Sequence, residues 1–325
     1  VCLELGGNGP FIVLDDADLT KAVRLGVTSR YSNNGQSCIA AKRLLISETV
    51  AEAFIASFVL SLTDAQLQDQ LGQARFVGLR NYGAMAGDAT FRQSLAMTFL
   101  YVFITVPLKL AFALFIAVVL NYRLRGIGLF RTAFYLPSIL GGSVAVAVVW
   151  RFVFAGDGLI NQVLHGIGMG PVNWLGEPGT AMFSIVLLRL WEFGSAMVVF
   201  LAGLKAIPQD LYEAADLDGA PRWQQFALIT LPLLTPVIFF NFIMQIVQAF
   251  QEFNGPYIIT GGGPMKSSYF LPLKVYEEAF KYFNLGYSSA LSWALFVIIA
   301  IFTGLAFWSQ KKWVFYAENR GEDGA

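Results

Sequence analysis

The chain has 325 residues, of which 56% are hydrophobic and 14% charged, with a formal net charge of zero. Soluble domains run at about 45–50% apolar and about 25% charged, so this composition excludes an ordinary soluble protein and points to a polytopic membrane protein. The balanced charge gives no basic field for nucleic acid, and two cysteines, Cys2 and Cys38, suggest neither a disulfide framework nor a zinc site. Val1 is followed by no basic n-region and apolar core, so no signal peptide is visible and the start reads as an interior cut of a longer frame.

Residues 1–53 read as soluble α/β protein. A strand-like run, Phe11-Ile12-Val13-Leu14, leads into the acidic turn Asp15-Asp16-Ala17-Asp18 and a helical stretch from Leu19 towards Tyr31. The next apolar run, Phe54 to Leu62, is stopped by Thr63-Asp64 and is too short to cross a bilayer, which takes at least about 17 residues. It opens a junction and extracytoplasmic segment, 54–94. From there the texture changes: apolar stretches at 95–120, 132–154, 180–204, 233–258 and 286–308 each approach or exceed the ~20 residues of a spanning helix. The expected fold is all-α, a transmembrane domain over 95–316 with about five spans, followed by a tail at 317–325.

Basic residues alternate in density between these stretches. Arg123, Arg125 and Arg131 crowd the first loop, Lys205 and Arg222 the third, and Lys311, Lys312 and Arg320 the tail, while 156–179 holds no lysine or arginine. Because cytoplasmic loops carry the lysine and arginine excess, the first and third loops and the C-terminus are expected inside and the N-terminal piece outside. The fourth loop carries Lys266, Lys274 and Lys281, with Glu277 and Glu278 beside them, and parity assigns it to the outside.

The third loop is a polar island at 205–232. Pro208 pre-sets a helix start, Leu211, Tyr212 and Ala215 recur at helical spacing, and Asp218-Gly219 supplies a stop. Pro221 then opens a second short helix, which Pro232 is expected to close. Small residues at the bend, Ala214, Ala215, Gly219 and Ala220, permit close approach of a partner, and an exposed short helix suits insertion into a groove on another protein.

The run Glu213-Ala214-Ala215-Asp216-Leu217-Asp218-Gly219, continuing to Leu231-Pro232, resembles the signature loop of permease subunits of binding-protein-dependent ABC importers, in their carbohydrate-uptake branch. The resemblance extends from about Phe76 to about Phe315 and includes Phe76-Val77-Gly78-Leu79-Arg80-Asn81-Tyr82, Gly128-Leu129-Phe130-Arg131-Thr132 and Tyr257-Ile258-Ile259-Thr260-Gly261-Gly262-Gly263-Pro264. It implies a type I importer permease fold lacking most of its first span, in a bacterial-type cytoplasmic membrane. It also implies a chain that binds no cofactor itself and couples through Glu213, Ala214, Ala215, Asp218 and Gly219 to an ATPase dimer that uses ATP. A second permease subunit and an extracytoplasmic solute-binding protein would complete the assembly. Gly261-Gly262-Gly263-Pro264 lacks the Gly-Lys-Ser/Thr ending of a phosphate loop and reads as a tight turn.

In the fourth stretch Asn241, Gln245, Gln248 and Glu252 recur at intervals of four, three and four, along one helix face. Polar groups at membrane depth mark either a solute path or a contact between helices, and both readings stand. Hydroxyl-rich solutes need amides and carboxylates for hydrogen bonds and aromatic faces to cover the ring; Phe250, Phe253 and Tyr257 lie adjacent. Arg189 and Glu192, three apart, can pair on one face in the same two roles. Lys109 sits deep in the first stretch, two residues beyond Pro107, and His165 falls in a loop without ligand neighbours.

The N-terminal segment carries a second resemblance. Glu4-Leu5-Gly6-Gly7, Pro10-Phe11-Ile12-Val13 and Asn33-Asn34-Gly35-Gln36-Ser37-Cys38 resemble a catalytic segment of aldehyde dehydrogenases, close to the semialdehyde dehydrogenases. The family's thiolate nucleophile would correspond to Cys38 and its general base to Glu4. No dinucleotide-binding unit accompanies them within the chain, so the expectation is an inert remnant with no catalytic residues in use.

Overall fold

The computed structural model describes residues 48–67, 74–122 and 126–315, together with two short strands, β1 (Phe11–Ile12) and β2 (Leu44–Leu45). Glu4, Cys38, the expected helix from Leu19, Arg123, Arg125 and the tail at 317–325 lie outside the described residues. β1 pairs with β2 in parallel, Phe11 opposite Leu44 and Ile12 opposite Leu45.

The remaining elements are helical. In chain order they are α1 (Glu48–Ser61), α2 (Arg80–Gly87), α3 (Ala89–Asn121), α4 (Ile127–Leu140), α5 (Val144–Val153), α6 (Leu159–Gly166), α7 (Pro178–Trp191) and α8 (Gly194–Ala206). Then come α9 (Asp210–Leu217), α10 (Arg222–Gln225), α11 (Leu231–Phe250), α12 (Leu271–Phe280) and α13 (Leu285–Trp313). Among the described residues three continuous helices are long and apolar enough to cross a membrane: α3, α13 and the run Arg222–Phe250. Counting each of two bent helix pairs as one span brings the number to five.

The apolar stretch at 132–154, expected as one span, is instead α4 and α5 at 101° to each other. The break falls at Gly141-Gly142-Ser143, where Ser143 caps α5 by accepting from the Val146 amide at 3.3 Å. Gly141 also lies so close to Glu192 that a Cβ there would be 2.2 Å from its Cγ. The stretch at 180–204 bends by 43° between α7 and α8. At that bend Gly194 admits the close approach of α4, since a Cβ would lie 2.5 Å from the Phe134 carbonyl oxygen.

Pro232 does not close the short helix after the bend. The helix continues through a π-turn at Phe226–Thr230 into α11, making 29 residues from Arg222 to Phe250. A proline ring clashes with the carbonyl four residues back in an α-helix, and the wider turn just upstream accommodates it.

α3 is the central element, with 33 residues and a length of about 50 Å. Asp88 caps its first turn, accepting from the Thr90 amide at 2.7 Å. Its first half joins a core of Tyr101, Val102, Ile185, Ile246, Phe250 and Phe270. Its second half joins another, in which Ala113 and Ala117 meet Ala196, Met197 and Phe200 of α8. Small residues let these two helices approach closely where lipid offers no hydrophobic drive.

The run expected over Phe54 to Leu62 belongs to α1, which begins earlier, at Glu48, and has 14 residues. At about 21 Å it still falls short of the ~30 Å hydrocarbon core. It docks on α13 through Phe54 and Phe58, whose rings lie 4.5 and 4.9 Å from that of Trp293. The loop after it is held by Asn81, whose amide donates to the Ser61 and Thr63 carbonyls at 2.8 Å each. Gly286 donates to the Ala65 carbonyl at 2.9 Å, and a Cβ on it would lie 2.1 Å from the Thr63 oxygen.

At the same end, Asp88 joins three helices. Its Oδ2 meets Lys274 Nζ of α12 at 2.9 Å and accepts from the Tyr287 hydroxyl of α13 at 2.9 Å, and Lys274 also reaches Glu278 at 2.9 Å. Burial pushes the Asp88 carboxyl up, but the hydrogen bonds from Lys274 and Tyr287, with the charge of Lys274, outweigh it and hold the group down at about 2. A carboxylate depressed on folding stabilises above its unfolded value near 4 and loses that contribution as pH falls towards 2. Asp88→Asn should therefore remove the acid sensitivity of this end. The wild type is expected to lose about 1 kcal/mol, or about 2–4 °C in unfolding temperature, between pH 4 and pH 2 beyond any loss in the variant. Thermal unfolding of both proteins in detergent across that range checks this, and identical pH profiles would refute it.

Candidate functional site

Two sites emerge, one at the C-terminal end of α3 and one beside its middle. The first is the bend between α9 and α10. The α9 helix ends in a Schellman motif: the Ala220 amide donates to the Ala215 carbonyl at 2.9 Å and the Gly219 amide to that of Asp216 at 3.1 Å. Gly219 takes the left-handed conformation this closure needs, at φ +73°. Glu213, Ala214, Asp218 and Gly219 are exposed and Ala215 is half-buried, so the sequence-predicted set forms one accessible surface.

Sequence reasoning missed what holds that surface and what flanks it. Gln225 donates to Asp216 Oδ1 at 2.6 Å and to the Ala220 carbonyl at 2.9 Å, stapling α10 to α9. The Tyr212 and Thr230 hydroxyls meet at 2.8 Å across the same bend. Leu217 and Trp223 stand 90% and 72% exposed on either side of Gly219, a cost in water that a partner's surface would remove. Behind the bend a cavity of about 1030 Å³ opens, reached by Tyr212, Glu213, Asp216, Asn121 and Arg131. The C-terminal end of α13 lies at this same end, where the Phe315 amide donates to Thr235 Oγ1 at 2.8 Å.

The second site lies between α3, α7 and α11. Asn241 and Gln245 are buried on α11, and Asn241 donates to the Ala196 carbonyl at 3.3 Å. Gln248 is exposed, and Glu252 does not continue the helical stripe, because α11 ends at Phe250. The chain turns there and carries Glu252 inward, 2% exposed, onto Arg189. Arg189 therefore binds two carboxylates, Glu252 and the predicted Glu192, the latter at 2.5 Å. The Glu252 partner is 63 residues away and no helical spacing signals it. Glu252 Oε1 also accepts from the Gly255 amide at 2.9 Å, which closes the turn.

Lys109 is buried on α3 and faces this group. With Tyr101 and Thr105 it forms a second polar stripe at spacing four, visible in the sequence once Lys109 is taken as its lower member. Tyr101, Thr105, Lys109, Arg189, Gln245 and Gln248 line one cavity of about 10 Å³, room for about one water molecule. Of the aromatic residues nearby, Phe250 is fully buried in the core, whereas Phe253 and Tyr257 stack at 5.1 Å. His165 is exposed on the short helix α6, and among the described residues no group of three His, Cys, Asp or Glu could hold a metal.

Residues 82–314 match the family of binding-protein-dependent transport system inner membrane components, and residues 1–84 match the aldehyde dehydrogenase family. Over 265 residues the chain is 46% identical to the probable ABC transporter permease protein YesP of Bacillus subtilis, covering 80% of this chain and 85% of the relative. It is 40% identical over 233 residues to the trehalose/maltose transport system permease protein MalF of Thermococcus litoralis, covering 70% and 77% of the two chains. Among solved structures it shares the fold of a chain in a bacterial alginate ABC transporter crystallised with an alginate pentasaccharide-bound periplasmic protein. The TM-score is 0.66 at 20% identity, over 72% of this chain and 83% of the other. With the apolar helices and the exposed bend after α9, these matches show that the chain belongs to the binding-protein-dependent transport system inner membrane component family and is a permease subunit of an ABC importer.

Proposed function

We propose that this permease forms part of a path for a sugar or related polyhydroxylated solute and is driven by a separate ATPase docked on the bend at 213–219. The observation that carries the reading is the exposed, rigidly stapled turn at Gly219, flanked by the uncovered side chains of Leu217 and Trp223. A short helix presented in this way fits a groove on a partner, so ATP is bound and hydrolysed there and this chain holds no cofactor. The relative named for trehalose/maltose transport and the fold shared with an alginate transporter support a saccharide as cargo. The latter also supports a solute-binding protein as the donor, and a second permease chain completes the path in this reading.

The membrane is the bacterial cytoplasmic membrane, and the end carrying the bend, together with the C-terminus, faces the cytoplasm. Arg131, Lys205, Arg222, Lys311 and Lys312 gather towards that end, in keeping with the bias of cytoplasmic segments towards lysine and arginine. Asn241, Gln245, Gln248, Arg189, Glu192 and Glu252 serve the path as polar lining or as its support. The N-terminal fragment is inert in this reading, in which the chain acts as a transport subunit.

Gly219→Val should strain the left-handed turn, and Glu213→Ala should remove a charge from its rim. Each is expected to cut co-purification of the ATPase and solute-stimulated ATP hydrolysis about tenfold or more, a coupling loss of about 1.4 kcal/mol or above. Full complex recovery with both variants would refute the docking assignment. The match at residues 1–84 favours one other reading, a membrane-tethered aldehyde dehydrogenase. The purified chain is expected to form no NADH from a semialdehyde, and Cys38→Ala to change nothing; Cys38-dependent NADH formation would establish that reading instead.

A further inference from the structure

We infer that a cleft between α3, α11 and α13 holds an acyl chain of an anionic phospholipid whose headgroup is bound by Lys312. The cleft has a volume of about 280 Å³. Its floor is the buried side chains of Val102, Val106, Ile246 and Ala306, and Phe103 and Leu305 stand exposed at its rim. All three helices belong to runs long and apolar enough to cross a membrane, so the medium at this depth is lipid. Among the lining side chains only Ser309 is polar, and its hydroxyl is already engaged. It donates to the Ala306 carbonyl at 2.8 Å and accepts from Trp313 Nε1 at 3.3 Å. The cleft therefore offers nothing to a hydroxylated solute and suits hydrocarbon.

The charge at its mouth selects the lipid. Phe302, Leu305, Ser309 and Lys312 follow at intervals of three, four and three, so the face of α13 that lines the cleft continues to Lys312. At 1.5 Å per residue, Phe302 and Lys312 lie about 15 Å apart, half of the ~30 Å hydrocarbon core and thus the depth of one leaflet. A chain whose headgroup sits at Lys312 ends level with the top of the cleft. Trp308 and Trp313 on either side of Lys312 are the kind of residue that gathers at headgroup level. The Lys312 ammonium lies 4.9 Å from the centroid of the Trp308 ring, and among the described residues it forms no ion pair. An anionic headgroup supplies that counter-charge, whereas a zwitterionic one brings its own cation. Lys311 has the same charge at nearly the same depth, but is turned about 100° around the helix, away from the cleft.

The competing occupant is a helix of a neighbouring membrane chain. A helix is about 10–12 Å across and would press only single side chains into a cleft that an acyl chain enters lengthwise. The test is native mass spectrometry of the purified full chain in detergent, titrated with phosphatidylglycerol and with phosphatidylethanolamine of the same chain length. Lys312→Gln is expected to weaken phosphatidylglycerol binding about fivefold and to leave phosphatidylethanolamine within about twofold. Lys311→Gln is expected to leave both within about twofold, and Ala306→Phe, which fills the cleft, to remove the bound lipid with Lys312 in place. Equal losses in the two lysine variants, or phosphatidylglycerol binding unchanged by Lys312→Gln, would overturn the proposal. A photo-crosslinking residue in place of Leu305 probes the cleft in the intact membrane without relying on the folding of Ala306→Phe. A lipid adduct is expected there, and an adduct to another protein chain would overturn the assignment.

Discussion

Lipid offers no hydrogen bonds, so wherever a helix breaks inside the membrane-spanning region its freed backbone groups must be met by the protein itself. That requirement organises the middle of this molecule. The α4/α5 break, the α7/α8 bend and the turn after α11 all fall on one group of side chains. Ser138 Oγ donates to the Glu192 carbonyl at 3.0 Å and accepts from the Ser195 amide at 2.9 Å, closing the α7/α8 bend from α4. Asn254 donates to the Gly142 carbonyl at 3.3 Å, and Glu252 takes the Gly255 amide. Arg189 then binds the carboxylates of Glu192 and Glu252, one from the α7/α8 bend and one from the turn after α11. Removing one partner of such a buried pair costs about 3–5 kcal/mol, because the other charge is left unmatched. These contacts tie the bundle together across its breaks, and no sequence spacing signals them, which is why spacing alone left support and path lining both open.

Packing of the long helices follows from this centre. α3 runs unbroken past Pro107, and its apolar residues fill two cores, one level with the polar band through Tyr101, Val102 and Val106 and one beyond it through Ala113 and Ala117. The same helix separates the two chemically distinct ends. At its start, Asp88 draws α12 and α13 together through Lys274 and Tyr287; at its finish, Asn121 lies beside the cavity behind the bend at Gly219. A displacement of α9 by a docked partner therefore has a direct structural route, through α10 and the π-turn, into α11 and the polar groups it carries. The π-turn at Phe226–Thr230 lies on that route, where one turn of the helix is wider than the turns on either side.

Apolar run length and turn residues made the spanning helices and the stop at Gly219 legible in the sequence, because both effects are local. Three features were not legible, each for a non-local reason. Gly141-Gly142 reads as a tolerable interruption of an apolar run, and only the proximity of Glu192 shows that the chain must turn there. Pro232 reads as a terminator, and a change of helix type upstream overrides that signal. Glu252 fits the α11 stripe by spacing, yet the helix ends two residues before it, and its actual partner comes from a different helix. The Tyr101, Thr105 and Lys109 stripe was present in the letters, but hydroxyls within a strongly apolar stretch carry little weight until an opposing polar face is known.

The helix α1 poses a question of length against packing. α1 spans about 21 Å, too little to cross the hydrocarbon on its own, but its aromatic residues seat on Trp293 and its following loop is fixed by Asn81 and Gly286. Phe54, Ile55, Phe58 and Val59 remain substantially exposed, and lipid rather than water is the solvent in which that exposure is favourable. These contacts are those of a short helix anchored at the Asp88 side of the bundle. Among the described residues they depend on α13 and the Asp88 network. The interactions that position α3, α11 and α13 come, among the same described residues, from residues 54 onward.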